Sequence, residues 1–392
     1  EGAMYRKFLD EKRDITATLI RDKEKSIISK IKEEMGELKS NFIQPKQINS
    51  YKFEVNNFFN SNPKNLTTEK VLVEHCQKAY TIDSVFCTFN THDHKAYLAW
   101  TNTEIQFSVG IYDLEKDIPL PVLKGHNQHV YIVRHFYDPR YTTDYLLSTS
   151  YDKKAIVWKY NIETAEFSLF LSINTGHSGL YIYSGLILFD FLSDKPQLDS
   201  SLVITSVPHE QLKIFNFKGT LIKHIGNKAD YTYYINSHFD IKKNCFYIIN
   251  ANSAQVKLLD FKDGSTVRSY VDDTTTWHMS AFVCDLKEES YLFESDGSGY
   301  IRIWFYETAK IWKKIHAPSC SLRGFILWNE KYLIAASSDK AYKIFDLDEG
   351  TLDTVKTCHE NVLCTVQKII HPNLGECLLT CAIDGKIKLF SA

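Results

Sequence analysis

Apolar residues recur at alternate positions in a series of short phrases along this chain, and each phrase closes on an aromatic or large apolar residue. The phrases are LLSTSYDKKAIVWKY (146–160), LVITSVPHEQLKIFNF (202–217), CFYIINANSAQVKLLDF (245–261), YLFESDGSGYIRIWFY (291–306), YLIAASSDKAYKIFDL (332–347) and CLLTCAIDGKIKLFSA (377–392). A divergent first copy is AYLAWTNTEIQFSVGIYDL (96–114). Each reads as a strand, a tight polar turn and a second strand. In 155–160, Ala155, Val157 and Lys159 alternate against Ile156, Trp158 and Tyr160, the period of a strand packed on both faces. The turns hold Asp152-Lys153, Asp339-Lys340 and Asp384-Gly385, types whose side chains bond their own backbone.

The closing residues are Tyr112, Trp158, Phe215, Leu259, Trp304, Phe345 and Phe390, at steps of 46, 57, 44, 45, 41 and 45 residues. A period in the forties with four strands per unit predicts blades set around an axis. The expected fold is all-β: a seven-bladed β-propeller of four-stranded antiparallel blades, preceded by one long α-helix. The longest step leaves about ten extra residues around FLSDKPQLDSS (191–201), a loop expected on the face opposite the one entering the innermost strands.

With these phrases in view the chain resembles the WD-repeat family over about residues 70 to 392. In that family a Gly-His step, a Ser or Thr, a turn Asp and a strand-end Trp share one buried hydrogen-bond network. Gly125-His126, Asp152 and Trp158 match it, with six residues from Asp to Trp. The same step joins Asp339 to Phe345 and Asp384 to Phe390, and the resemblance implies structural roles for His316 and His359 in those blades. The turn Asp is replaced by Gln106, His209, Ser253 and Ser298 in the other copies, so one blade alone is expected to hold the full network. The degenerate blades must rely on apolar packing, which 44% hydrophobic residues can supply.

An open last blade would expose an unpaired strand edge. KVLVEHCQ (70–77) aligns with PVLKGHNQ (121–128), and His75, His126 and His177 fall 51 residues apart. Strand 70–77 is therefore expected to close the ring as the fourth strand of the last blade, giving a propeller over 70–392. Residues 1–46 read as an amphipathic helix of about 38 residues, roughly 57 Å long. Its apolar positions, Phe8 to Phe42, break a strict heptad at the step from Leu19 to Ile27. Pairing with another chain as a coiled coil through residues 4–42, lying across its own propeller, and acting as a spacer all stay open. Residues 47–69 read as a linker, with Phe53, Val55, Phe58 and Phe59 expected to dock. Glu1-Gly2-Ala3-Met4 reads as an addition, so Met4 is not taken as the natural start and room is left for a longer parent protein.

Formal net charge is −2, which argues against nucleic acid as a partner because phosphate binding needs a basic field. No apolar run approaches a membrane span, so a membrane partner is not expected. Nine cysteines with no Cys-x-x-Cys pair fit reduced thiols and a cytoplasmic location, with cytoskeletal or nuclear settings left open. His92 and His94 are the nearest approach to a metal pair and read as a solvated loop. Gly-x-Ser-x-Gly, phosphate-cradling and His-Glu-x-x-His motifs are missing. Asp272-Asp273 and Glu288-Glu289 read as solvated loop charges. The expectation is a non-enzyme with no cofactor and no metal.

Tyr80, Tyr131, Tyr181 and Tyr231 recur at steps of 51, 50 and 50, and Trp277 follows after 46. Each begins the innermost strand of its copy, where rings would either pack between blades or surround one mouth of the channel. Tyr151, His209, Asn252 and Ser338, in the turns, would share that rim. Aromatic side chains make good interface anchors, so a protein or peptide segment is the expected ligand. Three functions follow: an interaction scaffold with the helix serving assembly, the C-terminal regulatory propeller of a larger multidomain enzyme such as a protein kinase, or a phosphoinositide-binding propeller. The last resembles a class marked by Phe-Arg-Arg-Gly, of which Ser321-Leu322-Arg323-Gly324 keeps one Arg.

Overall fold

A computed structural model describes residues 59–74 and 97–392, apart from 103–106, 139–140, 142, 162, 180–181, 190–200, 229–231, 241–242, 244, 253–254, 274–275 and 287–288. The chain divides into Glu1–Phe53 and Glu54–Ala392. The predicted helix over 1–46, the loop at 191–200 and the residues Tyr80, Tyr181, Tyr231, Gln106 and Ser253 lie outside the described residues. None of the described helices is long and apolar enough to cross a membrane.

The second unit is a seven-bladed propeller of antiparallel sheets. Blade 2 shows the pattern: Val130–Asp138, Thr143–Ser150, Lys154–Asn161 and Glu166–Asn174 run from axis to rim in chain order. Blades 3 to 6 repeat it over 184–225, 232–270, 278–316 and 322–357, and three strands of blade 1 are described over 97–123. Middle strands are buried along their length, as in Tyr332–Ser337 and Ala341–Asp346. The outermost strand Thr351–Thr357 alternates between exposed and half-buried, because only one of its faces meets a neighbouring blade. All seven closing residues, Tyr112 through Phe390, are buried. They sit where facing sheets press together, as Phe345 does between blades 5 and 6 and Trp304 between blades 4 and 5.

Blade 7 takes Leu363–His371, Gly375–Ala382 and Ile387–Ser391 from the end of the chain and Thr68–Val73 from near its start. Thr68 pairs with Ser391, Lys70 with Leu389 and Val73 with Ile387, so the closing strand begins two residues earlier than expected and is the outermost of its sheet. Leu72 and Val73 join a core that continues into Leu98, Trp100 and Tyr112 of blade 1. Tyr112 also donates to Asp117 (3.0 Å), which pairs with Lys70 (2.5 Å).

The segment ahead of that strand is fastened to the ring. Phe59 is buried against Trp328 (ring centroids 4.7 Å apart, 82° between planes) and its N–H donates to the Trp328 carbonyl at 2.8 Å. Trp328 Nε1 returns a bond to Ser61 O at 2.9 Å, and the N–H groups of Asn60 and Ser61 donate to the Glu376 carboxylate at 2.9 and 2.7 Å. Lys368 lies under the Phe59 ring (5.5 Å), and burial draws its ammonium down to about 8. Of the four aromatic and aliphatic residues expected to dock, Phe59 does; the other three lie outside the described residues.

Removing residues 1–73 is expected to replace a cooperative melting transition by a broad one at lower temperature, followed by circular dichroism. Phe59→Ala keeps the closing strand but empties the cleft, and should cost about 3 kcal/mol in urea denaturation.

Candidate functional site

Hydrogen-bond clamps hold the hairpin turns of several blades against the loops that enter their innermost strands. In blade 2, His126 places Nδ1 3.0 Å from Asp152 Oδ2 and Nε2 2.8 Å from Ser148 Oγ, and Trp158 Nε1 donates to the same hydroxyl at 2.9 Å. Asp152 also accepts from the N–H groups of Asn127 (3.1 Å) and Lys154 (2.9 Å). Both side chains of the His–Asp pair are 1% exposed. Burial pushes the Asp152 carboxyl up, but the His126 bond and charge outweigh it and hold the group below the usual carboxylate range.

Blade 7 repeats three of the four members: His359 lies 2.9 Å from Asp384 and 2.8 Å from Thr380 Oγ1, while Phe390 offers no N–H. Burial raises Asp384, yet the His359 bond and the N–H groups of Lys386 and Glu360 bring it to about 2. Blade 3 makes a variant that the spacing of turn residues hides. His209 has φ 60°, the left-handed region that Lys153 and Lys340 also occupy, and is exposed. Its neighbour Glu210 supplies the carboxylate, 2.8 Å from His177 Nδ1, and Thr205 Oγ1 lies 3.0 Å from Nε2. Burial draws His177 down to about 4 against the pull of Glu210. Glu210 is itself raised by burial, but bonds from His177, Gly179 N–H and Ser178 bring it to about 2.

Blade 6 departs from expectation. His316 is not part of a clamp: it ends the outer strand Ile311–His316 of blade 5, paired in register with Tyr300, and stacks on that ring (4.2 Å, 19°). Held in one sheet, it is unavailable to the next, and Asp339 instead pairs with Lys343 Nζ at 2.6 Å. Blade 5 replaces the clamp by buried charges. His278 bonds Glu294, and the fully buried Arg302 reaches Asp296 (2.8 Å), Glu294 (3.3 Å) and Asp272 (2.6 Å). Asp272, which also pairs with Lys314 at 2.6 Å, is therefore a member of an ion network and not a solvated loop charge.

The clamps fix a face on which aromatic rings accumulate. Phe107, His129, Tyr151, Tyr131 and Tyr183 form a continuous half-buried run, each ring 5.0 to 5.9 Å from the next. Tyr131 follows the first residue of the inner strand of blade 2, as its spacing predicted, and it packs on Tyr151 of its own turn. Tyr183, two residues beyond the predicted Tyr181, carries the run into blade 3. Trp277 is 58% exposed ahead of the inner strand of blade 5. His209 is exposed and Ser338 half-buried, with its hydroxyl accepting from Ser321 N–H at 2.9 Å. Asn252 is not on the open rim: it is buried, and its side-chain oxygen caps its own hairpin through Gln255 N–H at 3.0 Å.

Inside the rim lies a cavity of about 130 Å³ on the ring axis, to which the innermost elements of blades 2 to 7 contribute in turn Tyr131, Tyr183, Tyr234, Met279, Arg323 and Gln367. Below Tyr131, Arg134 donates to the carbonyls of Gly185 (3.1 Å) and Ile235 (3.0 Å), tying three blades together at the axis. Arg134 escapes a reading of the sequence because nothing in its spacing repeats from blade to blade, and Arg323, noted there for its partial likeness to Phe-Arg-Arg-Gly, carries no signal of its place in the cavity.

Residues 118–159 match the family model described as WD domain, G-beta repeat. That stretch runs from the outer strand of blade 1 through the third strand of blade 2 and contains all four members of the complete clamp. The chain has no match among the curated proteins. The matched repeat and the seven-bladed ring together support a WD-repeat propeller.

His126→Ala should cost about 2–3 kcal/mol by stranding Asp152, Ser148 and Trp158 in the interior, whereas His316→Ala should stay within about 0.5 kcal/mol; urea titration separates the two. His177 is lowered from its ordinary value of 6.5 to about 4. The folded state therefore resists its protonation, so the stability it contributes is full above pH 6.5 and is lost as pH falls through 4. The urea midpoint is expected to fall across that window, with a shallower slope in His177→Asn.

Proposed function

We propose that this protein is a non-enzymatic interaction scaffold whose aromatic mouth docks a segment of a partner protein. A WD40-type propeller is consistent with that role, and architecture alone does not assign it. The observation that carries the reading is the run of five half-buried rings leading to the axial cavity, with the exposed Trp277 on the same face. Aromatic rings bury large area with few rotors, so their ordering on binding costs little entropy. The His126–Asp152 clamp adds to this by holding the turn that carries Tyr151 against the loop that carries His129. A partner then meets a surface already in its binding shape.

Assembly through residues 4–42 and a cytoplasmic location remain proposals beside this one. A regulatory propeller within a larger enzyme would use the same mouth. The phosphoinositide reading draws no support from the position of Arg323, which lines the axial cavity among tyrosines.

Affinity capture with the full chain, compared with Tyr151→Ala/Trp277→Ala, tests the docking role by quantitative mass spectrometry. Proteins that depend on the mouth should fall about tenfold or more in the double variant while its melting temperature stays within a few degrees. An unchanged set of captured proteins would rule the mouth out as the docking site.

A further inference from the structure

We infer that the mouth reads an acidic side chain, Asp or Glu, of the docked segment, and that Arg323 is the residue that reads it. This rests on the docking function proposed above and deepens it by naming the chemistry of the anchor.

Among the described residues the lining of the cavity is unbalanced in charge. Arg323 lines it, and its Nε is buried with no hydrogen-bond partner among the described residues. No Asp or Glu is among the described residues that line the cavity. The second guanidinium on the axis, Arg134, is satisfied by neutral groups: two carbonyls and the Asn236 side chain at 3.3 Å. The fixed positive charge of Arg323 thus faces a space that Tyr131, Tyr183 and Tyr234 also line, in surroundings of lower polarity than water. A carboxylate entering that space would meet a planar fork of donors that it can engage with both oxygens, the strongest pairing available to an arginine.

Rings alone would suggest the opposite ligand, since a cation is drawn to aromatic faces. Here the Arg323 guanidinium in the lining repels one, and the Tyr234 ring already has a cation over it, Arg134 at 5.5 Å. Size narrows the choice further. A space of about 130 Å³ is well below the roughly 300–1,000 Å³ of small-molecule sites, and holds about four waters at ~30 Å³ each. It admits one side chain, while Trp277, Tyr151 and the rest of the rim receive the backbone and neighbours of that residue.

The test is an array of nine-residue peptides with randomised flanks and a central residue set to Asp, Glu, Asn, Gln, Lys or phosphoserine, probed with the full chain. Wild-type protein should retain the Asp or Glu peptides about tenfold more than the matching amides. Arg323→Gln should bring that ratio near one, and Arg323→Lys, which keeps the charge and loses the fork, should leave it in between. The acid-to-amide ratio is taken within one protein, so it does not depend on how much of a variant is folded. Equal retention of acid and amide, a preference for Lys, strongest retention of phosphoserine, or an unaltered ratio in Arg323→Gln overturns the acidic reading. If retention in any of those cases still vanishes in Tyr151→Ala/Trp277→Ala, the docking function stands without it. Retention of no peptide by the wild-type chain overturns both.

Discussion

Everything on the axis of this molecule depends on one pairing between segments more than three hundred residues apart. Thr68–Val73 lies along Ile387–Ser391, and without it the last sheet would end in an open edge. The pairing does more than complete a sheet. Leu72 and Val73 fill the seam between the last blade and the first, and Lys388 meets Glu69 across the two strands at 2.6 Å. Phe59 and Leu66, just upstream, fill the cleft between blades 6 and 7, where Lys356 donates to the Leu66 carbonyl. Such a contact is costly to form, because loop entropy must be overcome before any of it is rewarded, and it follows that the ring folds as a unit of high contact order. Once it forms, the stacking of the sheets fixes where the innermost elements of blades 2 to 7 meet.

Within that frame the blades solve the same local problem by different chemistry. A hairpin turn must be held to the loop beside it, and blades 2, 3 and 7 use a histidine between a carboxylate and a hydroxyl. Blade 5 uses an arginine among three carboxylates, whereas in blade 6 the Ser338 hydroxyl accepts from Ser321 N–H and the Asp339–Lys343 pair stays within the hairpin. The carboxylate partner varies as well: the histidines of blades 3 and 5 sit against glutamates and those of blades 2 and 7 against aspartates. The mouth inherits its rigidity from these contacts. Tyr151 and His209 stand on turns whose flanks are bonded on both sides, so the rim is ordered before any partner arrives.

The electrostatic character of the mouth is local. A formal net charge of −2 over the whole chain says nothing about a cavity lined by an arginine and lacking a lining carboxylate among the described residues. The acidic residues that neutralise charge elsewhere are committed to clamps or to partners on the outer rim, as Glu307 is to Lys243 and Arg268.

Alternation of apolar residues and the forty-odd-residue spacing were enough to read the blades, their number and the segment that closes the ring, because these depend on which residues must be buried in each sheet and on local turn chemistry. The complete clamp of blade 2 was legible for the same reason: His126, Asp152 and Trp158 stand at fixed steps within one blade. Glu210 was not, since it takes the role of a turn aspartate from the next position, through a longer side chain. His316 misled because its pairing with Tyr300 belongs to a sheet register that spacing does not reveal, and Asp272 because its partner Arg302 comes from the third strand of the following blade. The axial cavity was beyond any such reading. Tyr183 and Tyr234 keep the step of about fifty residues, but Arg323 stands outside it in a fourth blade, and only the closing of the ring brings these residues with Tyr131 around one cavity.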